Sequence, residues 1–306
     1  MEKLKGKIRL VEVGPRDGLQ NEKKIIATED KLTFIKMLID AGIKNIETTS
    51  FVRADKIPQM SDGIEVAQGL KNYLSHEDLS LFALVPNEIG LNKAHENHLK
   101  HIAVFTATSE TFNKKNINAS IEESLERIRP VVHGAKNHGM FIRGYISTVF
   151  GCPYEGKTSL DKMMYLIDQL FKLGCFEISL GDTIGVGHPD LVFDVISKIK
   201  GHYDLKNFAM HFHDTRAMAL TNILASLQNG ITSFDSSAGG LGGCPYAVGS
   251  SGNVGTEDVL NLLHSMGYDT GIDMDKLFLA SEFILKKIGR ESQSKMHIAY
   301  RSLRGN

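Results

Sequence analysis

Residues 8–18 read IRLVEVGPRDG. Ile8, Val11 and Val13 give the run the β-branched composition of a short strand, and Gly14-Pro15 ends it with a turn. That turn separates two α/β architectures. A doubly wound open sheet usually carries a G-x-G-x-x-G fingerprint in its first strand-to-helix turn. Here the turn is GPRDG. The competing architecture is a closed barrel, whose functional groups stand at the C-terminal ends of the strands and in the loops that follow. Arg16 and Asp17 occupy such a place.

Working outward, residues 27–41 have helical periodicity, with Leu32, Ile35, Leu38 and Ile39 on one face and Gly42 as the stop. Strands are then expected at 43–48, 79–85, 101–106, 141–149, 176–180, 208–213 and 231–235. Helices alternate with them at 63–73, 87–97, 121–138, 160–173, 189–200, 218–229 and 257–266. The unit β then α occurs eight times, and its strands are short and mostly apolar, as strands covered on both faces should be. Eight units predict a (β/α)₈ barrel. An extra helix is expected at 273–288. The expected organisation is a catalytic barrel over 1–270 and a C-terminal helical extension over 271–306, packed on it.

Composition narrows the function. The 306 residues are 42% hydrophobic and 23% charged, with a formal net charge of -1, so no global field favours nucleic acid or a membrane surface. An apolar stretch approaching the ~20 residues that span a bilayer is absent from the sequence. The N-terminal MEKLKGKIRL lacks the apolar core of a secretory signal. The cysteines, Cys152, Cys175 and Cys244, are odd in number and show no paired spacing, which points to a reducing cytoplasm.

Two stretches carry chemistry. His211-Phe212-His213-Asp214 closes the seventh strand, and residues two apart on a strand face the same way. Both imidazoles are thus expected at the barrel mouth. Asp17 adds a carboxylate from the first strand end, separated from the seventh only by the eighth. Asn253 adds an amide oxygen. Two imidazoles, one carboxylate and one amide suit a divalent cation with open positions, Mg²⁺ or Mn²⁺ for an oxygen-chelating substrate, with Zn²⁺ or Co²⁺ also accepting the nitrogens. Arg16 stands where it can meet an oxyanion. Glu47 could hold Arg16 or a metal-bound water, and Asp182 is as readily a turn cap as a functional group. The second stretch, 236–255, reads SSAGGLGGCPYAVGSSGNVG. Unlike a Ser/Gly linker, it carries Leu241, Cys244, Tyr246 and Asn253, the content of a functional loop.

VEVGPRDGLQNE, IETTSF, KKNIN, RGY, GCPYEGK, EISLGDTIGVG, HFHDT and AGGLGGCPYA together resemble the hydroxymethylglutaryl-CoA lyase family over nearly the whole chain. The resemblance implies a metal held by Asp17, His211, His213 and Asn253. It implies Arg16 as the group that stabilises the enolate of departing acetyl-CoA, and Cys244 as a catalytic cysteine on a mobile loop. Glu47, Asp182, Asp17 and His211 complete the implied catalytic set. The implied reaction is metal-dependent, retro-aldol-like cleavage of 3-hydroxy-3-methylglutaryl-CoA to acetyl-CoA and acetoacetate, as in leucine degradation and ketone-body formation. A small acyl-CoA is then the partner, and a homo-oligomer, a dimer at first guess, is expected. In one departure, Arg216-Ala217 follows HFHDT where the family often has Tyr-Gly, so acyl-group or CoA preference can differ.

Three other readings compete. Isopropylmalate and homocitrate synthases share the Arg-Asp turn and the HxH strand and would act on a different 3-hydroxy acid. Their turn typically reads RDGEQ, with glutamate where this chain has Leu19. Amidohydrolase barrels also carry HxH, but on the first strand. A non-catalytic acyl-CoA binder would tolerate loss of Arg16 or of a metal ligand, and all are present.

Overall fold

The computed structural model describes residues 7–243 and 252–303. Eight parallel strands close into a barrel in chain order. They are β1 (Arg9–Glu12), β2 (Asn45–Ser50), β3 (Ser80–Leu84), β4 (His101–Ala107), β5 (Phe141–Ser147), β6 (Glu177–Asp182), β7 (Phe208–Phe212) and β8 (Ser233–Ser236). The ring is completed by β8 against β1, with Arg9 opposite Ser233 and Glu12 opposite Ser236. The expected (β/α)₈ architecture is the one observed.

Around it run α1 (Thr28–Asp40), α2 (Gly63–Gly69), α3 (Glu88–Glu96), α4 (Glu110–Ile117), α5 (Ile121–Asn137), α6 (Leu160–Leu173), α7 (Pro189–Lys200), α8 (Ala219–Gln228), α9 (Thr256–Ser265), α10 (Met274–Ile288) and α11 (Lys295–Leu303). Local chemistry sets their ends. Ser120 and Glu123 form a reciprocal capping box at the start of α5, satisfying two amide donors that the first turn leaves free. Asp273 accepts from Lys276 N at the start of α10, and Gly289, at φ +79°, ends that helix.

Two helices were not anticipated, α4 and α11. In α4 only Phe112 and Asn113 are buried, and in α11 only His297, so neither shows the apolar stripe that periodicity detects. The helix expected at 63–73 is instead α2 followed by a tight 3₁₀ turn, Lys71–Tyr73. The GPRDG turn is a single wide helical turn, with Gly18 N bonded to Val13 O at 3.0 Å.

Strand alternation divides the interior in two. Ile46, Ile142, Ile146, Ile178, Leu180, Phe208, Met210 and Phe234 face outward into the core shared with the helices. Their neighbours Glu47, Arg143, Tyr145, Glu177, Ser179, His211 and Asp235 lie on the other face, inside the ring. The lumen is mixed: β1, β3 and β4 turn Val11, Phe82, Leu84 and Ala103 into it. The register arranges its charges: Arg143 is opposite Glu177, and His211 opposite Asp235.

The C-terminal helices pack against the closing seam. Asp273 N bonds Ala41 O at 2.8 Å, and Lys287 pairs with Asp30 at 2.8 Å. Gln293 N bonds Gly239 O at 2.9 Å, at the entry to the glycine-rich stretch.

Candidate active site

Asp17 follows β1, His211 lies on β7 and His213 lies just past it. One ligand atom from each falls within 4.8 Å of the others, and no further group of three such residues occurs among the described residues. Asn253 is brought alongside by backbone pairing. It bridges His213, Asp214 N bonds Gly252 O at 2.9 Å, and Val254 N bonds Phe212 O at 3.2 Å. Gly252 makes this approach possible. Its φ is +87°, and a Cβ there would lie 2.4 Å from the carbonyl carbon of Gly242. The Asn253 amide donates through Nδ2 to Asp17 Oδ2 (2.9 Å) and to Leu241 O (3.1 Å), which leaves Oδ1 as its ligand end.

The donor set fits a divalent cation on an observation independent of motif. The buried Nδ1 of His213 has no hydrogen-bond partner, and the Nδ1 of His211 lies 3.1 Å from Asp235 Oδ2. Each imidazole therefore keeps one nitrogen uncommitted. Burial pushes His213 down to about 4, so its ring is neutral and ligand-ready near pH 7. Burial alone would raise the Asp17 carboxyl, but Arg16 and the two histidines outweigh it and hold it at about 2.

Arg16 is fixed from two sides. It bonds Glu47 Oε2 through Nε (2.8 Å) and Nη2 (2.6 Å), and Asp17 Oδ1 through Nη1 (2.8 Å). Glu47 is fully buried and its Oε1 has no partner. Its carboxyl is pushed up by burial, with Arg16 opposing. Asp182 ends β6 in the same mouth. Its two oxygens accept from Val186 N and Gly187 N, each at 2.9 Å, so the turn-cap role is realised, and burial pushes this carboxyl up as well. Cys244 lies outside the described residues. Cys175 is buried, and burial pushes its thiol up to about 12.

Beneath these groups lies a network that sequence reasoning missed as functional. Arg143 bonds Glu177 (2.6 Å), Asp235 (2.6 Å) and the Tyr145 hydroxyl (2.8 Å). Tyr145 donates in turn to Glu47 Oε2 at 3.3 Å. Arg9 pairs with Glu177 from the barrel floor. Asp235 had a usable signal, since it stands near the end of its strand, as Glu47 does.

Arg216 Nη1 donates to the carbonyls of Ile184 (2.7 Å) and Gly185 (3.2 Å), tying the loop after β7 to the loop after β6. Ala217 sits at φ +56°, where glycine is at ease and alanine is not.

A family model described as HMGL-like matches residues 7–284. The chain is 45% identical over 296 residues to the mitochondrial hydroxymethylglutaryl-CoA lyase of Homo sapiens, covering 97% of this chain and 90% of that one. It is 45% identical over 302 residues to the cytoplasmic 3-hydroxy-3-methylglutaryl-CoA lyase of Danio rerio, covering 99% and 89%. The solved hydroxymethylglutaryl-CoA lyase of Pseudomonas aeruginosa superposes with a TM-score of 0.93 at 45% identity, over 97% of this chain and 98% of that one.

Proposed function

We infer the reaction from one premise: the chain belongs to the HMGL-like family. It is a carbon–carbon lyase that cleaves 3-hydroxy-3-methylglutaryl-CoA to acetyl-CoA and acetoacetate, and it is metal-dependent. The observation that carries the assignment of the site is the meeting of Asp17, His211 and His213 beside an arginine already oriented by Glu47.

Asp17, His211, His213 and Asn253 would hold a divalent cation, proposed as Mg²⁺ or Mn²⁺, which when bound would supply Lewis-acid polarisation to the reaction. The chain's own groups do the rest. Arg16 presents its guanidinium to the thioester oxygen on which enolate charge develops, pre-oriented by Glu47 and Asp17, so little reorganisation accompanies the step. Glu47 has one uncommitted oxygen and Asp182 has none free of the loop amides, so Glu47 is the better-placed carboxyl to hold a proton during cleavage. Cys244 is proposed to return a proton to the two-carbon fragment. The division at residue 270 is retained as a proposal: the barrel carries every site residue.

The test is direct. Purified protein, stripped with EDTA and given 3-hydroxy-3-methylglutaryl-CoA with Mg²⁺ or Mn²⁺, should form acetoacetate. Turnover undiminished without metal, or absence of acetoacetate with it, defeats the reading.

Among the described residues no helix is long and apolar enough to cross a membrane. A cytoplasmic location is proposed, as for the Danio rerio relative, and fractionation checks it. A homodimer is proposed as well. It is supported by Leu279 and Ile298, exposed at 56% and 45% on α10 and α11, and light scattering decides it.

A further inference from the structure

We propose that Asp235 is the positioning residue that selects which nitrogen of His211 faces the metal. The inference rests on the metal-site reading above, and the geometry beneath the site supplies it.

The two histidines are not equivalent. His213 has its Nδ1 buried and without a partner. His211 has its Nδ1 committed to Asp235 at 3.1 Å, so only its Nε2 can reach a ligand. The register of β7 against β8 sets this, since it pairs His211 with Asp235. A carboxylate behind a metal-binding imidazole fixes the tautomer, holds the ring plane and makes the opposite nitrogen a stronger donor.

Asp235 is itself locked. It is buried, with Arg143 on both of its oxygens (2.6 and 3.2 Å) and the Ser179 hydroxyl on Oδ2 (2.9 Å). A guanidinium can only donate, so it must meet the carboxylate as an acceptor, and the proton shared with His211 lies on Nδ1. Arg143 is pinned from its other side by Glu177 at 2.6 Å. Asp235 therefore cannot turn to another partner without stranding a buried charge. Ion pair, carboxylate and imidazole form one rigid line from the barrel floor to His211.

Two measurements test this. The first uses unsubstituted metal-free protein labelled with ¹⁵N-histidine, His211 being assigned by its loss in His211→Gln. At a pH where the ring is neutral, the expected spectrum shows His211 protonated at Nδ1 and bare at Nε2. The opposite tautomer, protonated at Nε2 and bare at Nδ1, overturns the proposal. The second is Mn²⁺ binding, followed by electron paramagnetic resonance, in the wild type and in Asp235→Asn, with folding checked by circular dichroism. Affinity is expected to fall on the order of 10–100-fold, the usual cost of losing such a partner, and excess Mn²⁺ should recover part of the activity. Wild-type affinity in a folded Asp235→Asn, or a loss confined to thermal stability, overturns the proposal while leaving the metal site standing. If the unsubstituted protein binds no Mn²⁺, the metal-site reading fails and this inference fails with it. Should Asp235→Asn fail to fold because Arg143 is left uncompensated, the tautomer of the unsubstituted protein decides alone.

Discussion

Arg16 is held by Glu47 and Asp17 in the substrate-free site, so its contribution is one of charge in a fixed place. Methionine keeps the unbranched stem without the charge or the donors. Arg16→Met should lower kcat on the order of 10²–10³-fold, the range seen when one oxyanion donor is removed, with Mn²⁺ affinity within a few-fold of wild type. A kcat that stays within a few-fold overturns the enolate role. Cys244→Ser should bind metal normally and lose most of its kcat, measured by acetoacetate release, whereas loss that tracks lost metal would refute the proton-carrier role. Ala217, at φ +56°, allows a stability test: Ala217→Gly should raise stability by ~1 kcal/mol by relieving a left-handed alanine, read from urea unfolding. At this scale His211 and His213 were legible because strand geometry puts residues two apart on one face. Arg143 was not, because a charge inside an apolar run reads as an interruption until a register supplies its partner.

The strands themselves carry further consequences. Glu12 ends β1 inside the wall. It accepts from Gly14 N (2.8 Å), Ala238 N (2.9 Å) and the Thr256 hydroxyl (2.6 Å), and so joins β1 to both ends of the segment bearing Cys244. Burial outweighs these donors and lifts its carboxyl to about 7. The native protein thus holds this proton more tightly than the unfolded chain does. Stability should fall as pH rises from about 4.5 to 7 and level off above, by at most about 3 kcal/mol from this group. Glu12→Gln keeps an acceptor for the two amides, and its new donor can meet a Thr256 hydroxyl already bonded to Ser236 at 2.9 Å. Its urea-unfolding stability should be flatter between pH 5 and 7 than that of the wild type, and an unchanged slope would refute the raised carboxyl. The eight strands were readable from short apolar runs between turn signals. Helices α4 and α11 were not, since capping and one or two buried residues hold them where no stripe announces them.

For the molecule as a whole, the metal-free protein should remain folded, because the lumen charges pair with one another without a cation. Chelation should abolish turnover and leave the circular dichroism spectrum unchanged. Metal at ~100 times its Kd should add about 2.7 kcal/mol, or roughly 5 °C in Tm. A Tm indifferent to metal would mean that no site is preformed. The barrel closes by joining β8 to β1, Arg9 to Ser233 across 224 positions of chain. Synthesis on the ribosome proceeds from the N-terminus, so Asp17 emerges long before His211, His213 and Asn253. Until the last strand leaves the exit tunnel, the nascent chain has an open edge on β1 and no means of capturing its cation. Loading with metal must therefore wait for Asn253, and a polypeptide stalled before residue 233 lacks both the strand that closes the ring and the fourth ligand.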